Sequence, residues 1–442
     1  MSPSPCALTW ARSLTAGDAG RLGGSTATAV AIDGEGNVIV LGTANQPIKL
    51  DDKEEEVGPY SSLFVAKYTA DGSHIWSSIY GTYNTGERGA SLYVDAIGTI
   101  TLAVAHRTGP LDFGGGLIDS PSIVVARLDK TGAFVWSTAM PALDTGTGAL
   151  ERVTPLSNGD VLITGVFASD DELIIAGKTL KSQQYKDVFM ARISATGEQQ
   201  WGSQLGSTFN AYLGDVAPHP SGGFLICGSF QGSFDFAGDL NAPEDAEDIF
   251  VTRMDANGAL VWAHSYSSDS GDRCSAITAS NQGDITFSGD LFENIDFGGG
   301  LLDIDVHEYH QPYVVRLDAA GNHLWSQAIA TGGDTRISDL VHGASNSVIL
   351  LGTFEGTTDF GGGALNATER AGFLLGLTPS GVHQFSQGFV GPSPIDPEVL
   401  SYGDSGDIAI AGTYRGAPDL GYGAHTDPGG LGWGAFVALA HP

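Results

Sequence analysis

Cysteine is nearly absent: three in 442 residues, Cys6, Cys227 and Cys274. Three cysteines cannot build a disulfide framework. Basic side chains are scarce as well, with 20 Lys and Arg against 51 Asp and Glu and a formal net charge of −31. Nothing of that charge could neutralise a row of phosphates, so nucleic acid is excluded as a partner. No run approaches the ~20 apolar residues that a transmembrane helix requires. No apolar stretch follows Met1, so no signal peptide is expected on this chain. A long 3.6-residue hydrophobic period is also missing, and helices should be scarce. There is no Gly-x-Ser-x-Gly elbow, no P-loop and no clear Cys/His pairing. Cys227 and Cys274 fall in strands of neighbouring copies and read as small buried hydrophobes.

What is present is a repeat, and it overrides the length-based prior of about three domains. Trp10, Trp76, Trp136, Trp201, Trp262 and Trp325 recur at 60 to 66 residues, and Phe385 takes the next slot. Each copy reads as four short strands, with turns that usually carry glycine (Gly36, Gly98, Gly159, Gly222, Gly283, Gly406). The second strand is typified by NVIVLGT and the third by IVVARL. A second hairpin follows, of the form DKTGAFVW, and the fourth strand carries the tryptophan. Four antiparallel strands repeated every ~60 residues predict a β-propeller. The fold class is all-β: one seven-bladed propeller over 1–442, four antiparallel strands per blade. The last blade is shared between about 1–17 and about 395–442, so that an N-terminal strand pairs with the C-terminal ones. Joining the ends hides two sheet edges that would otherwise invite aggregation.

The copies also contain Leu111-Asp112-Phe113-Gly114-Gly115-Gly116, Ile295-Asp296-Phe297-Gly298-Gly299-Gly300 and Thr358-Asp359-Phe360-Gly361-Gly362-Gly363. Weaker versions start at Phe234 and Pro418, whereas residues 44–60 and 168–179 lack the motif. With the third-strand pattern and the glycine-to-tryptophan hairpin, the chain resembles the SBBP-type repeat of bacterial seven-bladed β-propellers. That resemblance implies an extracytoplasmic bacterial protein, secreted or at the cell surface, and no particular activity. It also makes Cys6 a candidate lipid anchor. A weaker similarity, to the tryptophan-docking repeats of quinoprotein dehydrogenases, implies eight blades and is not supported by a vicinal cysteine pair.

First-to-second and third-to-fourth turns share one face and are short, whereas the long loops share the other, where function is expected. Arg127, Arg192, Arg253 and Arg316 occupy one third-strand position, with Lys67 as a fifth copy. Arg21, Arg88, Arg152, Arg273 and Arg336 sit at or just before the first strands. Paired with the motif aspartates they would bridge loops, and unpaired they would form a cationic ring for an anionic ligand. His342 lies on an inner strand and could line the channel, and Trp433, in a Gly-rich loop, could stack on a ligand. Asp303, Asp305, His307 and His310 cluster in one copy only. Positions 303, 305 and 307 share one face of an extended strand, a possible divalent transition-metal site. Acidic runs in second-to-third loops, such as Asp51–Glu56, could bind Ca²⁺ or simply be solvated surface.

The reading is a monomeric binding or display propeller that presents its long-loop face to a protein, glycan or small ligand. Its alternatives are an enzyme with a site at the channel mouth (hydrolase, lyase or metal-dependent oxidoreductase) and a purely structural repeat module.

Overall fold

Apolar runs of six or seven residues, punctuated by glycine turns, are too short for helices and well matched to strands. The computed structural model describes residues 7–15, 24–51, 53–57, 61–83, 89–107, 109–143, 149–168, 171–182, 185–234, 240–241, 247–268, 270–304, 311–329, 333–418 and 432–441. Among them the only helix is one 3₁₀ turn, Ala344–Asn346. Each repeat forms one antiparallel sheet, and consecutive first strands touch one another around a central axis.

Blade I, from the axis outwards, is Ser25–Ile32, Val38–Ala44, Ser61–Tyr68 and His74–Tyr83. Blade II is Ala90–Val94, Ile100–His106, Ser122–Leu128 and Phe134–Leu143. Blade III is Ala149–Pro155, Val161–Ala168, Lys186–Ile193 and Gln199–Leu205. Blade IV is Ala211–Pro218, Phe224–Phe230, Asp248–Met254 and Leu260–Tyr266. Blade V is Arg273–Ala279, Ile285–Leu291, Gln311–Leu317 and His323–Ala328. Blade VI is Thr335–His342, Val348–Thr358, Leu365–Leu377 and His383–Phe389. Blade VII is Ile395–Tyr402, Ile408–Tyr414 and Gly434–His441, with Ala7–Ser13 as its outer strand. The register there sets Trp10 opposite Leu439 and Ser13 opposite Phe436. The protein is a seven-bladed β-propeller.

Seven apolar clusters hold it together, one between each pair of neighbouring blades. The repeat tryptophan works at the same seams. A β-bulge precedes it in every outer strand, at Thr9, Ile75, Val135, Gln200, Val261 and Leu324. The bulge re-aims the indole out of its own sheet. Trp10, Trp76, Trp136, Trp201, Trp262 and Trp325 then lie over Gly72, Gly132, Gly197, Gly258, Gly321 and Gly381 in the next blade's third-to-fourth turn. A Cβ on any of these glycines would come within 2.9–3.3 Å of the indole, and their φ values are 79–90°. Glycine is therefore required twice over, for left-handed backbone and for close approach. Four of the indoles also donate Nε1–H to a carbonyl of that turn, at Ala70, Lys130, Ala195 and Pro379.

The third-strand base reinforces the seam. Lys67 and Arg127 donate to the carbonyls that Trp76 and Trp136 use, at Lys130 and Ala195. Arg192 donates to Ala256 O (2.8 Å) and pairs with Asp160 in its own blade (2.7 Å). Lys67 pairs likewise with Asp33 (2.7 Å). Burial works against the Asp33 and Asp160 carboxylates, and these cations with local N–H donors overcome it and hold both pKa values low.

Blade VI departs from this rule in two places at once. Phe385 stands for the tryptophan and Gly376 for the base. The third and fourth strands of blade VII come from opposite ends of the chain, so no hairpin exists there to receive an indole. Phe385 instead packs on Gly376 in its own sheet, where a Cβ would lie 2.2 Å from the ring.

Two sequence readings are corrected. The motif aspartates do not bridge to arginines, because each is spent on its own loop. Asp112 Oδ1 accepts the N–H groups of Gly114 and Gly116, Asp296 those of Gly298 and Gly300, and Asp359 those of Gly361 and Gly363. The motif phenylalanines Phe113, Phe297 and Phe360 are core residues. Blade III, which lacks the motif, carries a hairpin (Glu172–Ile175 and Lys178–Lys181) that adds to the outer strand of blade II at Ala142 and Leu143. Finally, Cys227 and Cys274 are not separate hydrophobes. They form a disulfide from the second strand of blade IV to the inner strand of blade V, with Cα atoms 5.9 Å apart.

Gly197→Ala should destabilise the fold by about 1 kcal/mol for its backbone plus about 1–3 kcal/mol for pressing on Trp136. Gly177→Ala, also at positive φ but with open space around it, should carry only the first part. Denaturant unfolding checks this, and equal losses would refute the docking role. The disulfide closes a sequence separation of 47 residues. Its removal in Cys227→Ala/Cys274→Ala should cost about 2–4 kcal/mol. Reductant should lower the wild-type melting temperature and leave the double variant unchanged.

Candidate ligand channel

The inner strands repeat a register that can be read residue by residue. The fourth residue of each second strand faces, in turn, Ala29, Ser91, Arg152, Asp215, Ala276, Asp339 and Val399. The next position is apolar in all seven blades: Val30, Leu92, Val153, Val216, Ile277, Leu340 and Leu400. An otherwise small or apolar ring thus carries charge on blades III, IV and VI.

Polar members of this ring latch neighbouring blades. Ser91 Oγ accepts the Val153 N–H (3.1 Å), Asp215 Oδ2 that of Ile277 (3.1 Å) and Asp339 Oδ2 that of Leu400 (2.9 Å). Asp215 Oδ1 and Asp339 Oδ1 also accept the N–H of the residue that follows them. Arg152 gives Nε–H to Asp215 Oδ1 at 2.7 Å, and its Nη2 joins the same oxygen. A third of its side chain is exposed (33%), yet burial still weighs against its charge. Asp215 and Asp339 overcome the burial cost and raise its pKa. Asp339 is only 6% exposed, and burial pushes its pKa up to about 6. Arg152 offsets part of that rise and Asp215 adds to it.

A cavity of about 1020 Å³ opens where the first strands meet the short first-to-second turns. All seven blades line it. Tyr93, Gln282, Asn346 and Tyr402 offer neutral hydrogen-bonding groups, and among the described residues Asp404 is its one carboxylate and no Lys or Arg lines it. This face is opposite to the one the loop lengths favoured. Short turns leave the channel mouth open, and a long loop is no guide to where a cavity lies.

His342 does line this cavity. It is held by neighbours: Nδ1 lies 3.3 Å from Ser347 O and Nε2 3.3 Å from the buried Thr286 hydroxyl. Burial, then Arg316, lowers its pKa to about 4, so it is neutral at pH 7. Arg152 belongs to the ring one layer deeper, whereas Arg273 pairs with Glu247 (3.0 Å) and Arg336 with Asp334 (3.6 Å). They form no free cationic ring. Trp433 is half-buried, its ring covered by Arg415 at 4.2 Å, so it is not an open stacking surface. Asp303 is exposed, with Asn294 Nδ2 at 3.4 Å. Arg21, Arg88, Asp305, His307, His310 and Cys6 lie outside the described residues. Among the described residues, no group of three or more His, Cys, Asp or Glu is placed to hold a metal. Asp215 and Asp339 carry no sequence motif, and only the inner-strand register reveals them.

No protein-family model matches the chain, and no curated protein matches it. Similar solved structures include the Neurospora crassa Pan2 WD40 domain, at 10% identity and TM-score 0.44 over 94% of this chain and 89% of that one. Polysaccharide lyase Uly1 is 11% identical, with TM-score 0.49 over 94% and 90%. YCF48 bound to D1 peptide is 12% identical, with TM-score 0.42 over 97% and 98%. Similarity at this level says nothing about activity.

Asp339 and Asp248 both have pKa values raised to about 6, by burial first at each. At Asp248, Ser267 offsets part of the rise and Asp272 adds to it. A raised native pKa means that the folded chain binds the proton more tightly than the unfolded one. Stability therefore falls as pH rises from the ordinary 3.8 towards 6, and is regained on acidification. Asp33 and Asp160, whose pKa values are lowered, keep their contribution down to about the ordinary 3.8 and do not oppose the trend at pH 5. Burial also lowers the pKa values of His342, His106, His219 and His264 below their ordinary 6.5, and these lose stability on acidification towards pH 5. The Asp339 contribution is therefore read as a difference: the melting temperature of Asp339→Asn minus that of wild type should be more positive at about pH 7.5 than at about pH 5. A difference that is level between the two pH values, or more positive at the lower one, would contradict this.

Proposed function

We propose that this propeller is a binding protein that works outside the cytoplasm and takes its ligand into the central channel from the short-turn face. The observation that carries the reading is the cavity of about 1020 Å³ to which every blade contributes. Its volume is at the upper end of ligand pockets, which run roughly 300–1,000 Å³. Apolar walls from Val30, Leu92 and Leu400 surround a few polar groups, the usual composition of a site that fixes orientation by hydrogen bonds. A peptide segment or a short glycan fits that size and chemistry. Catalysis would need a nucleophile beside a free base, and the cavity's one imidazole, His342, is already engaged by Ser347 and Thr286. Work outside the cytoplasm is supported by the Cys227–Cys274 disulfide, a bond that reducing compartments do not maintain.

Ala31 and Ala279 line the cavity from blades I and V. Ala31→Trp/Ala279→Trp should fill it, and because both alanines also touch the seams between blades I and II and between blades IV and V, a melting curve establishes that the variant is folded before binding is compared. Glycan and peptide arrays probed with wild type and variant check the proposal. Ligands captured by the wild type should be lost from the variant by tenfold or more in affinity. Retained binding would move the site away from the channel.

A further inference from the structure

We infer that the channel recognises a cationic group of its ligand, an ammonium or guanidinium, at Asp339. The inference rests on the channel reading above and names the chemistry at its inner end. It starts from a charge imbalance. In the ring of Ala29, Ser91, Arg152, Asp215, Ala276, Asp339 and Val399, two carboxylates share one guanidinium. Asp215 takes that guanidinium through both Nε and Nη2. Asp339 has two backbone N–H donors, from Leu340 and Leu400, and no ion pair among the described residues. Arg152 is thus bonded to Asp215 and acts on Asp339 only through space, and the three groups together carry one negative charge in excess.

Asp339 is 6% exposed and lies just below the cavity lining, so a ligand must reach one layer past that lining. Leu400, whose N–H sits 2.9 Å from Asp339 Oδ2, lines the cavity, and so does Val341, two residues further along the same strand. At about 3.3 Å per residue, the Asp339 backbone lies about 7 Å from that of Val341, one layer below the lining. Nothing in the cavity competes with a ligand cation. Among the described residues it has no Lys or Arg, its histidine is neutral, and Asp404 adds a second negative charge at the mouth. A net charge of −31 draws cations towards the molecule and disfavours anionic ligands.

The groups around Asp339 are few. Arg152 and Asp215 face it from blades III and IV. The ring positions of blades V and VII are the uncharged Ala276 and Val399. On its own strand, Arg336 is taken by Asp334 and His342 is neutral. A proton and a ligand cation therefore compete for the same carboxylate, and each weakens the other.

Benzylammonium is a suitable probe, with benzyl alcohol as its neutral counterpart, titrated into the whole chain at about 150 mM salt to screen surface charge. Asp339, with its pKa about 6, is mostly protonated at pH 5 and mostly ionised at pH 7.5. Benzylammonium should accordingly bind about tenfold more tightly at pH 7.5 than at pH 5, and benzyl alcohol equally at both. Asp339→Asn should abolish the pH dependence and reduce affinity at pH 7.5 to the wild-type value at pH 5. Should that variant fold poorly, carboxyl ¹³C titration of wild type replaces it, and saturating benzylammonium should lower the Asp339 pKa. Benzylammonium affinity that is equal at both pH values would overturn the inference. So would a tenfold rise for benzyl alcohol as well, or an unmoved carboxyl titration. If benzylammonium fails while Ala31→Trp/Ala279→Trp still abolishes array binding, the cation site alone is wrong. If that double variant binds as wild type does, the channel reading falls by its own test.

Discussion

An indole laid flat on a glycine of the adjoining sheet is the contact on which this ring depends. It sets the spacing between blades, because neither partner can give way. The ring cannot compress, and the glycine cannot accept a Cβ without colliding with it. The outer-strand bulge turns the indole to meet its partner, and in blades I, II and III the third-strand base ties the same turn by a charged hydrogen bond. Each device would be weak alone. Together they let six of the seven blades template the next, so a chain with few long-range motifs still closes on a defined number of sheets.

The parts of this scheme that recur were legible in the sequence. Trp76 and Gly132, or Lys67 and Arg127, advertise themselves by returning at a fixed interval, and strand count and blade number follow from them. What recurs once or not at all was read less well. The motif aspartates looked free to meet arginines because their spacing in the chain says nothing of how many N–H groups surround them. Asp112, with Gly114 and Gly116 already donating to it, has little left to give. Cys227 and Cys274 stand 47 residues apart and become neighbours only through the curvature that brings the inner strand of blade V against blade IV.

The channel was the least legible feature. Loop length favoured one face, whereas the open volume lies at the other, where turns of a few residues leave the mouth clear. Its charge is subtler still. Arg152, Asp215 and Asp339 share no motif, and their common register appears only after the inner-strand bulge has been placed. A repeat supplies the scaffold by sameness, and individuality enters at positions such as these, where one blade differs from its six siblings without disturbing the seams.

Phe385 and Gly376 have a consequence for how such a ring can be rewired. The cycle is cut between the third and fourth strands of blade VII, and the blade before the cut has shed both the indole and the base that would have met the missing hairpin. The primary structure thus bears a scar marking its own point of opening. Circular permutation that moved the termini elsewhere would create a new hairpin opposite Phe385 with nothing to grip it, and would strand an indole at the new cut. A permuted ring would need the scar moved along with its ends.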